Sequence, residues 1–475
     1  MTASTSRPTS RSYDIVFVGG GSAGLIGADF AVRLGATVAI LEKDRIGGDC
    51  TWTGCVPSKT VIRSAHLAHD IARAHEFGID ADHVRADMRR VRARVDNTIA
   101  SIYEHTTPEA LKSRGIDVHI GATRFVDAST VRCGELSISA RRIVICTGAH
   151  AIMPDIPGLP DVDPLTYGEL FALETLPSHL LVLGAGPLGV EMAQAFRRLG
   201  STVTLIGPRI LAREEPEAQT LARNVLEREV VDVQLESATE ARRTADGVAL
   251  RTASGWHDGA RVLVAAGRAP TLADLDLDRA GVMYDARGIT VDAYLRTSAK
   301  HIYACGDVIG GPQFSHLAGY ECFKAVRNAL LPGRSDGKAA TLSAVTFADP
   351  EVARVGPTEA EARRLHGNGI VASVRPITTS DRARCDGDVD GFIKILTLGR
   401  KRIVGATVVA ARAGEMIAEV ALAIEQGLNI DAIAETIHAY PTWSTDVQLA
   451  AVDVLMERVT SGISGRLLRW FARKG

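Results

Sequence analysis

The sequence predicts an α/β protein that contains two copies of one strand–loop–helix–strand unit. In the first copy an apolar strand leads into the glycine-rich loop at residues 19–24, and a helical pattern follows as far as Leu34. The second copy begins 165 residues later, with a loop at residues 184–189 and a helical pattern as far as Leu199, and the copies align without a gap. A G-x-G-x-x-G loop between a strand and a helix lets the backbone approach a pyrophosphate. The sequence therefore predicts two dinucleotide-binding units rather than two βαβ units without a ligand.

Length, composition and charge are those of an ordinary globular protein. The chain has 475 residues, enough for three domains, and 46% of them are hydrophobic and 23% charged. The net charge of −2 gives no indication of nucleic-acid binding, and seven cysteines in this length do not form a disulfide scaffold. Residues 1–12 contain no apolar stretch of a signal peptide, so we expect a short disordered leader. No apolar run is long enough to span a membrane, and we expect a cytoplasmic protein.

The end of the first unit predicts which dinucleotide it binds. Its second strand ends at Glu42, with Lys43 beside it. A carboxylate at this position accepts hydrogen bonds from ribose hydroxyls. The first unit therefore suits an adenosine without a 2′-phosphate, such as that of FAD.

The second unit differs at the same position. Gly207 replaces the carboxylate, and Arg209 and Arg213 follow closely. A missing carboxylate with guanidinium groups nearby favours the 2′-phosphate of NADPH over NADH. The alternative is that these arginines only face solvent, because Glu214 and Glu215 lie beside them.

Two cysteines, Cys50 and Cys55, lie five residues apart just after the first unit. In a regular helix that offset is a rise of roughly 7.5 Å, longer than the ~4.4–6.8 Å that usually separates the Cα atoms of a disulfide. Bridging needs an irregular turn, and Gly47, Gly48 and Gly54 supply a permissive backbone. We therefore predict a strained, reducible cystine at a helix start, where the helix dipole favours a thiolate. A redox-active pair beside a flavin explains this placement, and the alternative is two unrelated buried thiols.

Three further motifs extend the pattern. They are Thr-Gly-Ala at residues 147–149, Ala-Gly-Arg-Ala-Pro-Thr at 266–271, and Ile-Tyr-Ala-Cys-Gly-Asp at 302–307. With these motifs the chain resembles the flavoprotein disulfide reductases, which include glutathione reductase, lipoamide dehydrogenase and mercuric reductase. The resemblance covers residues 13–448. It implies an FAD enzyme that takes hydride from NADPH and reduces a disulfide in its own chain.

The resemblance also implies roles for individual side chains. Cys50 would exchange with the substrate, and Cys55 would face the flavin as a thiolate. Lys59 would reach the flavin N5 region and pair with Glu191, where a cation stabilises electron density on the reduced ring. The alternative for Glu191 is an ordinary residue on a helix surface.

The implied cofactor contacts come from both halves of the chain. Asp307 would accept from the flavin ribityl chain, although it could also be a turn aspartate after Gly306. The implied FAD-binding residues are Gly19, Gly21, Ser22, Ala23, Gly24, Glu42, Lys43, Gly48, Asp49, Thr147, Gly148, Asp307, Leu317 and Ala318. The implied NAD(P)-binding residues are Gly184, Gly186, Gly189, Arg209, Arg213 and Gly267.

The resemblance predicts two Rossmann-like domains, for FAD and NAD(P), and an α+β C-terminal dimerisation domain. The predicted order is a disordered leader at residues 1–12, the first FAD segment with the cysteine pair at 13–150, the NAD(P) domain at 151–275, the second FAD segment at 276–340 and the dimerisation domain at 341–475. We therefore expect a homodimer. In the family the last domain reaches into the active site of the partner.

This chain departs from the family at the end of that domain. The family motif is His-Pro-Thr-x-x-Glu, and its histidine is the general base for thiol substrates. Here Tyr440 takes the histidine position and Thr445 the glutamate position, while His438 and Asp446 lie nearby. A tyrosine with a reference pKa near 10 is a poor base at about neutral pH. The departure argues against glutathione disulfide and dihydrolipoamide as efficient substrates, and mercuric reductases carry tyrosine at the equivalent place.

Two features of mercuric reductases are absent from the sequence. It has no N-terminal metal-binding domain with its own cysteine pair, and residues 464–475 contain no vicinal cysteines. We therefore expect a mercuric-reductase-like enzyme whose acceptor is a soft metal ion, a quinone or a low-molecular-weight disulfide. The first rival is a dihydrolipoyl dehydrogenase or disulfide reductase in which His438 replaces the missing base. The second is a membrane-recruited electron-transfer flavoprotein.

The remaining candidates are weaker. Five other cysteines show no metal-ligand spacing, so no metal site is predicted; we expect them to be mostly buried, with Cys385 exposed in a charged loop. His316 is more consistent with a structural histidine than with a catalytic one. The C-terminal tail is basic and apolar, which could give weak contact with an anionic membrane surface; the alternative is a solvated tail that packs on the dimer. Its apolar residues are Leu467, Leu468, Trp470 and Phe471.

Overall fold

The computed structural model describes residues 10–81 and 85–473 of the chain. Its helices are α1 (Ser22–Arg33), α2 (Gly48–Trp52), α3 (Cys55–Ala72), α4 (Met88–Tyr103), α5 (Pro108–Ser113), α6 (Tyr167–Leu170), α7 (Pro187–Leu199), α8 (Pro216–Arg228), α9 (Ser315–Leu330), α10 (Glu359–His366), α11 (Asp381–Asp386), α12 (Ala413–Glu425), α13 (Ile430–Glu435), α14 (Trp443–Thr460) and α15 (Gly462–Ala472). The strands are β1 (Ser10–Val18), β2 (Val38–Glu42), β3 (Ile116–Ile120), β4 (Thr123–Phe125), β5 (Thr130–Cys133), β6 (Leu136–Ile145), β7 (Ala149–Ala151), β8 (His179–Leu183), β9 (Thr202–Ile206), β10 (Asp232–Gln234), β11 (Glu240–Arg243), β12 (Val248–Thr252), β13 (Gly255–Gly259), β14 (Arg261–Val264), β15 (Arg268–Pro270), β16 (Tyr284–Asp285), β17 (Gly288–Ile289), β18 (Ile302–Ala304), β19 (Ser343–Thr346), β20 (Glu351–Val355), β21 (Ile370–Pro376), β22 (Phe392–Leu398) and β23 (Arg402–Ala410).

The chain forms two compact units. The first contains the chain up to residue 184 together with residues 198–201 and 238–339, and the second contains residues 185–197, 202–237 and 340–475. This division cuts through the predicted nucleotide-binding domain at 151–275. The predicted domain boundaries therefore stay a prediction, whereas the predicted combination of α/β and α+β architecture is confirmed.

The first unit is built on a seven-stranded sheet. Its strand order is β3-β2-β1-β6-β5-β4, and β18 also pairs with β6. β1 runs parallel to both neighbours, with Val16 opposite Ala39 and Ile143. Residues 15–18 are almost completely buried, which is why this strand is a continuous apolar run rather than an alternating one.

The predicted leader is wrong at its C-terminal end. Residues 10–12 belong to β1 and pair with residues 137–139 of β6, whereas residues 1–9 lie outside the described part of the chain. The physical reason is that β6 is ten residues long and offers unpaired backbone groups beyond the buried part of β1.

The parallel strands bring four segments of the first unit together. β1, β2, β6 and β18 are parallel neighbours, so their carboxyl ends meet at one edge of the sheet. At that edge Gly19 follows β1, Glu42 ends β2, Thr147 lies two residues after β6 and Asp307 three after β18. This edge is where open α/β sheets bind ligands.

The second unit contains a five-stranded antiparallel sheet of order β19-β20-β23-β22-β21. Residues of α12, α13 and α14 cover it and form one apolar core with β20, β22 and β23. The same unit contains β9, which pairs in parallel with β10.

A buried lysine connects the nucleotide segment of the second unit to its sheet. Lys394 lies in β22 with a side chain 3% exposed. Its Nζ lies 2.7 Å from Glu217, 2.9 Å from Glu359 and 3.3 Å from Glu215. Burial disfavours the charged amine, but the hydrogen bonds and charges of the carboxylates outweigh it and raise the pKa of Lys394. The Glu215 side chain is only 2% exposed and that of Glu217 is 52% exposed, so the ion network runs from a buried Lys394–Glu215 pair to the surface.

Replacing Lys394 by methionine is expected to lower the free energy of unfolding by about 3–5 kcal/mol, because Glu215 would keep a buried charge without its partner. Urea unfolding followed by circular dichroism measures this change. The matched control is Arg223→Met, which removes an exposed pair with Glu227 on one helix and should change stability by less than about 0.5 kcal/mol. If Lys394→Met lowered the free energy of unfolding by no more than the small change expected for Arg223→Met, the Lys394 cluster would not stabilise the unit.

Among the residues described, no helix combines the length and the apolar character needed to cross a membrane.

Candidate active site

The loop at residues 19–24 is shaped by its own backbone contacts. Gly19 has a φ of 116°, a conformation that side chains rarely adopt, and its N–H donates to the carbonyl of Leu41 at 2.8 Å. Gly24 lies directly against the carbonyl oxygen of Gly19, and an added Cβ would overlap that oxygen. These two glycines are therefore required by the turn itself.

Gly21 is different, because the protein leaves space around it. Its φ of −79° is accessible to any residue, and an added Cβ would find no heavy atom closer than the Cα of Gly48 at 3.8 Å. Gly21 directly precedes Ser22 and Ala23, the first residues of α1, where helix N–H groups lack intrahelical partners. The missing side chain leaves a cradle open at a helix N-terminus, which fits the pyrophosphate of a dinucleotide.

Glu42 is held against this loop. Its Oε2 accepts from the N–H of Gly20 at 2.7 Å, and its Oε1 accepts from the N–H of Asp44 at 2.9 Å. The carboxylate therefore lies between the loop and the end of β2, and a ribose contact for Glu42 and Lys43 stays a prediction.

The other predicted FAD residues lie around the same edge. Thr147 donates from Oγ1 to the carbonyl of Thr271 at 2.8 Å, and Gly148 has a φ of 69°. Leu317 and Ala318 are buried in the first turn of α9, and the Ala318 Cβ lies 3.0 Å from where a Cβ on Gly306 would be. The second predicted FAD segment is thus packed against a helix start.

An arginine joins two predicted cofactor residues. Arg268 contacts Asp49 and lies 3.3 Å from Asp307, and the Tyr167 hydroxyl donates to Asp49 at 3.0 Å. Burial raises the pKa of Asp307 although Arg268 acts in the opposite direction, and burial raises the pKa of Tyr167 to about 12. Neither Arg268 nor Tyr167 was predicted as a site residue from the sequence. Arg268 could have been predicted, because it lies in the motif at residues 266–271.

Glu321 is a third residue that was not predicted from the sequence. Its side chain is 8% exposed on α9, and its Oε2 accepts from the N–H of Gly306 at 2.7 Å. Burial raises the pKa of Glu321 to about 7. This carboxyl group therefore fixes the loop that carries Asp307.

The cysteine pair lies at a break between two helices. Cys50 is the third residue of α2, and Cys55 is the first residue of α3. Between them Gly54 has φ −117° and ψ −110°, and a Cβ there would lie 2.8 Å from the carbonyl oxygen of Asp49. The predicted irregular turn is therefore present and needs glycine at residue 54.

Both cysteines are free thiols in the structure, so the predicted cystine is not formed here. The thiols are hydrogen-bonded to each other, and the Cys55 Sγ lies 3.6 Å from the Ser315 Oγ. Donation of the Cys50 S–H to the Cys55 sulfur, together with burial, raises the pKa of Cys50. The pair is thus poised to exchange a proton or to form a disulfide.

The second glycine loop shows the same kind of open position. A Cβ on Gly186 would meet no atom within 4 Å, whereas a Cβ on Gly184 would overlap the carbonyl oxygen of Ala265. Gly207 lies so close to Ala185 that an added Cβ would be 2.8 Å from its nitrogen. The open position at Gly186 fits a second dinucleotide. The predicted contacts of Gly189 and Gly267 stay predictions.

Arg209 and Arg213 are exposed and form no ion pair with any described residue. The carboxylates beside them have other partners. Glu214 accepts from Arg354 at 2.9 Å, and Glu215 accepts from the N–H of Glu359 at 2.6 Å. The neighbouring glutamates therefore do not neutralise the two guanidinium groups.

Glu191 is not a surface residue. Its side chain lies on α7 of the second unit, the residue is 5% exposed, and Oε1 accepts from the N–H of Phe347 at 2.8 Å. Lys59 lies on α3 of the first unit. The Lys59–Glu191 pair stays a prediction.

Tyr440 is 70% exposed, and its hydroxyl donates to Asp381 at 2.7 Å. That hydrogen bond raises the pKa of Tyr440, which makes it a still weaker base. Thr445, at the family's glutamate position, exchanges capping hydrogen bonds with Thr442 at the start of α14. Asp446 is buried and accepts from the Ser380 hydroxyl at 2.5 Å. The departures from the family motif thus have local structural roles.

His438 has both ring nitrogens engaged. Nε2 lies 2.9 Å from the carboxylate of Glu419, and Nδ1 lies 2.9 Å from the carbonyl of Thr436. Burial disfavours the charged ring, but these two hydrogen bonds outweigh it and raise the pKa of His438. Because both partners are acceptors, the ring must carry two protons to satisfy them. These contacts favour the protonated ring and engage both of its nitrogens, so His438 is poorly placed to act as a base.

The other cysteines behave as expected. Cys133, Cys146, Cys305 and Cys322 are buried, and Cys385 is exposed. No group of three or more metal-ligating side chains is found among the residues that the structure describes.

Comparison with known proteins gives relatives along most of the chain. Mercuric reductases from Bacillus cereus and Shigella flexneri are 33% and 35% identical, covering 93% of this chain and 71% and 81% of the relatives. Dihydrolipoyl dehydrogenase from Haloferax volcanii is 34% identical over 94% of this chain and 97% of its own length. Among solved structures, the HOCl-induced flavoprotein disulfide reductase RclA from Escherichia coli superimposes with a TM-score of 0.84 at 28% identity, covering 93% of this chain and 99% of that one.

Two family profiles match consecutive parts of the sequence. The profile of the pyridine nucleotide-disulphide oxidoreductases matches residues 13–322, and the profile of their dimerisation domain matches residues 342–451. The chain belongs to the pyridine nucleotide-disulphide oxidoreductase family and is an oxidoreductase of the flavoprotein type.

Proposed function

We propose that this enzyme passes electrons from NADPH through FAD to the Cys50–Cys55 pair, and from there to a thiol-reactive acceptor. The observation that carries the proposal is the placement of Cys50 and Cys55 on either side of the break between α2 and α3, with the Ser315 Oγ 3.6 Å from the Cys55 Sγ. Family membership implies FAD and a nicotinamide nucleotide. When bound, FAD would supply a two-electron relay between the nicotinamide and the cystine.

In this proposal the loops bind the cofactor and the two thiols react with the acceptor. Gly21 and α1 would hold the pyrophosphate of FAD, and Asp307 would hold its ribityl chain, kept in place by Arg268. In the reduced pair Cys50 would attack one sulfur of a disulfide acceptor, and its proton would leave with the first thiol that is released. Cys55 would then attack the Cys50 sulfur, release the second thiolate and leave a cystine. A soft metal ion would instead be bound between the two sulfur atoms.

A soft metal ion or another electrophile fits this chain better than a thiol substrate that needs a base. Tyr440 is hydrogen-bonded to Asp381, and both ring nitrogens of His438 are engaged by Glu419 and Thr436. Several relatives are mercuric reductases, which supports a metal-ion acceptor. The Escherichia coli reductase is also known as a Cu(II) complex, which points the same way.

An anaerobic titration with NADPH tests the proposal. We expect a long-wavelength thiolate–flavin absorption band after one equivalent, because two electrons reduce the cystine and leave a thiolate against the flavin. Bleaching of the flavin without that band would contradict the proposal and indicate a plain flavin reductase. Mercuric ion, a quinone and glutathione disulfide, each added to the reduced enzyme, would then rank the acceptors.

NADPH is expected to be preferred over NADH because Arg209 and Arg213 are not neutralised. Replacing both by alanine is expected to raise the KM for NADPH roughly 10–100-fold, since two charge-assisted contacts with the 2′-phosphate are lost. The KM for NADH should stay within about twofold. Steady-state kinetics with each nucleotide measure this, and Arg223→Ala, an exposed arginine on α8, is the matched control. Equal effects on both nucleotides would contradict the assignment.

Dihydrolipoyl dehydrogenase activity is the first alternative, because this chain matches one relative of that name over almost the full length of the relative. It would need His438 to accept a proton. An assay with dihydrolipoamide and NAD distinguishes the two: turnover of about 10² per second would favour the alternative.

The carboxy-terminal helix supports a second candidate, recruitment of the enzyme to an anionic membrane surface. Leu467, Leu468, Trp470 and Phe471 are 47–60% exposed on α15, and Arg466, Arg469 and Arg473 lie among them. Basic amphipathic helices of this composition bind anionic lipid. Co-sedimentation with vesicles that contain phosphatidylglycerol tests this candidate, using the full chain and a chain without residues 464–475. Equal binding of the two proteins to the vesicles would contradict it.

The dimerisation domain at residues 342–451 supports a homodimer. In such a dimer Tyr440 would lie near the thiol pair of the partner subunit, as the family resemblance implies.

A further inference from the structure

Three helices of the first unit begin at the thiol pair. α3 begins with Cys55 itself, α1 begins with Ser22 and α9 begins with Ser315. The Ser315 Oγ lies 3.6 Å from the Cys55 Sγ. The hydroxyls of Ser315 and Ser22 also act to lower the pKa of Cys50, against the larger effects of Cys55 and burial. The two sulfur atoms thus meet two serine hydroxyls, each at the first position of a helix.

This arrangement favours negative charge on sulfur. A hydroxyl can donate to a thiolate, and a separation of 3.6 Å suits an O–H···S contact. The N-terminus of each helix adds a partial positive charge. α3 and α9 have 18 and 16 residues, so both dipoles are fully developed. The titratable groups on the elements around Cys55 are Asp49 and Cys50 on α2, Lys59 on α3 and His316 on α9.

We propose that Ser315 is a catalytic residue whose hydroxyl donates a hydrogen bond to the Cys55 thiolate and stabilises that charge after the pair is reduced. The inference rests on the proposed redox role of the pair. Reduction of the cystine by two electrons gives two sulfur atoms, of which one keeps a proton. The proposed function places the charge on Cys55, the sulfur that faces the flavin, and the Ser315 Oγ lies 3.6 Å from that sulfur.

The experiment uses the holoenzyme with Cys50→Ala, which isolates the Cys55 thiol without adding a hydroxyl. Ser315→Ala and Ser315→Thr are added to this background. The matched control is Ser58→Ala, because the Ser58 hydroxyl donates to the backbone carbonyl of Cys55 rather than to its sulfur, at 3.2 Å. Two readouts are followed against pH: the thiolate–flavin absorption band, and the rate at which iodoacetamide alkylates Cys55, measured on its peptide by mass spectrometry.

Ser315→Ala is expected to raise the midpoint of both titrations by about one pH unit, because one hydrogen bond to the charged form is lost. Ser315→Thr should restore the parent midpoint, and Ser58→Ala should not change it. A midpoint in Ser315→Ala within about 0.3 units of the parent would overturn the inference. If no absorption band forms at any pH, the proposed redox function fails; the alkylation titration still reports on Ser315 separately.

Discussion

Replacing Cys50 by alanine is expected to lower reduction of a disulfide or of Hg²⁺ at least about 10³-fold, because the sulfur that attacks the acceptor is removed. Electron transfer from NADPH to ferricyanide, which needs no thiol, should persist within about threefold of the parent enzyme. The oxidised variant should also show the long-wavelength band without any reductant, since Cys55 can no longer be held in a cystine. Stopped-flow absorbance and steady-state assays measure these three quantities.

Cys385→Ser is the matched control, because Cys385 is a solvent-exposed cysteine that lies on α11 of the second unit. It should leave acceptor reduction unchanged. If Cys50→Ala retained acceptor reduction while Cys385→Ser lost it, the catalytic thiol would lie on α11 rather than on α2. If both variants kept full activity, the acceptor would be reduced without a thiol.

The first unit was predictable because its signals are local. Two glycine loops at a constant offset identify two βαβ units, and the buried run of β1 is visible as consecutive apolar residues. The break between Cys50 and Cys55 follows from Gly54, which lies where a Cβ would collide with the Asp49 carbonyl. In these cases the steric requirement and the residue that satisfies it are neighbours in sequence.

Contacts between distant segments were not predictable in the same way. Arg268 contacts Asp49 across 219 positions, and the antiparallel pairing of β15 with β7 places it there. The 3.6 Å contact between Cys55 and Ser315 spans 260 positions and depends on where α9 begins. The replacement of the family's histidine by Tyr440 was visible. The hydrogen bonds from both His438 nitrogens to Glu419 and Thr436 could not be predicted, because they depend on how the chain packs around the ring.

Gly21→Ala is expected to leave the fold intact and to weaken FAD binding roughly 10–100-fold. The protein alone has room for the methyl group, whose nearest neighbour would be the Gly48 Cα at 3.8 Å. A pyrophosphate in the cradle at the start of α1 does not leave that room, and overpacking of this kind costs about 1–3 kcal/mol. Flavin content after dialysis and the melting temperature of the apoprotein measure the two effects.

Two other glycines give the controls for this prediction. Gly24→Ala would overlap the Gly19 carbonyl oxygen, so it should lower the melting temperature of the apoprotein as well as the flavin content. Gly186→Ala, where nothing lies within 4 Å, should keep both and raise only the KM for NADPH. Normal flavin content in Gly21→Ala would mean that the loop at residues 19–24 is not the pyrophosphate site. If Gly21→Ala lowered only the flavin content and Gly186→Ala lowered only the affinity for the nicotinamide nucleotide, one dinucleotide would be assigned to each loop.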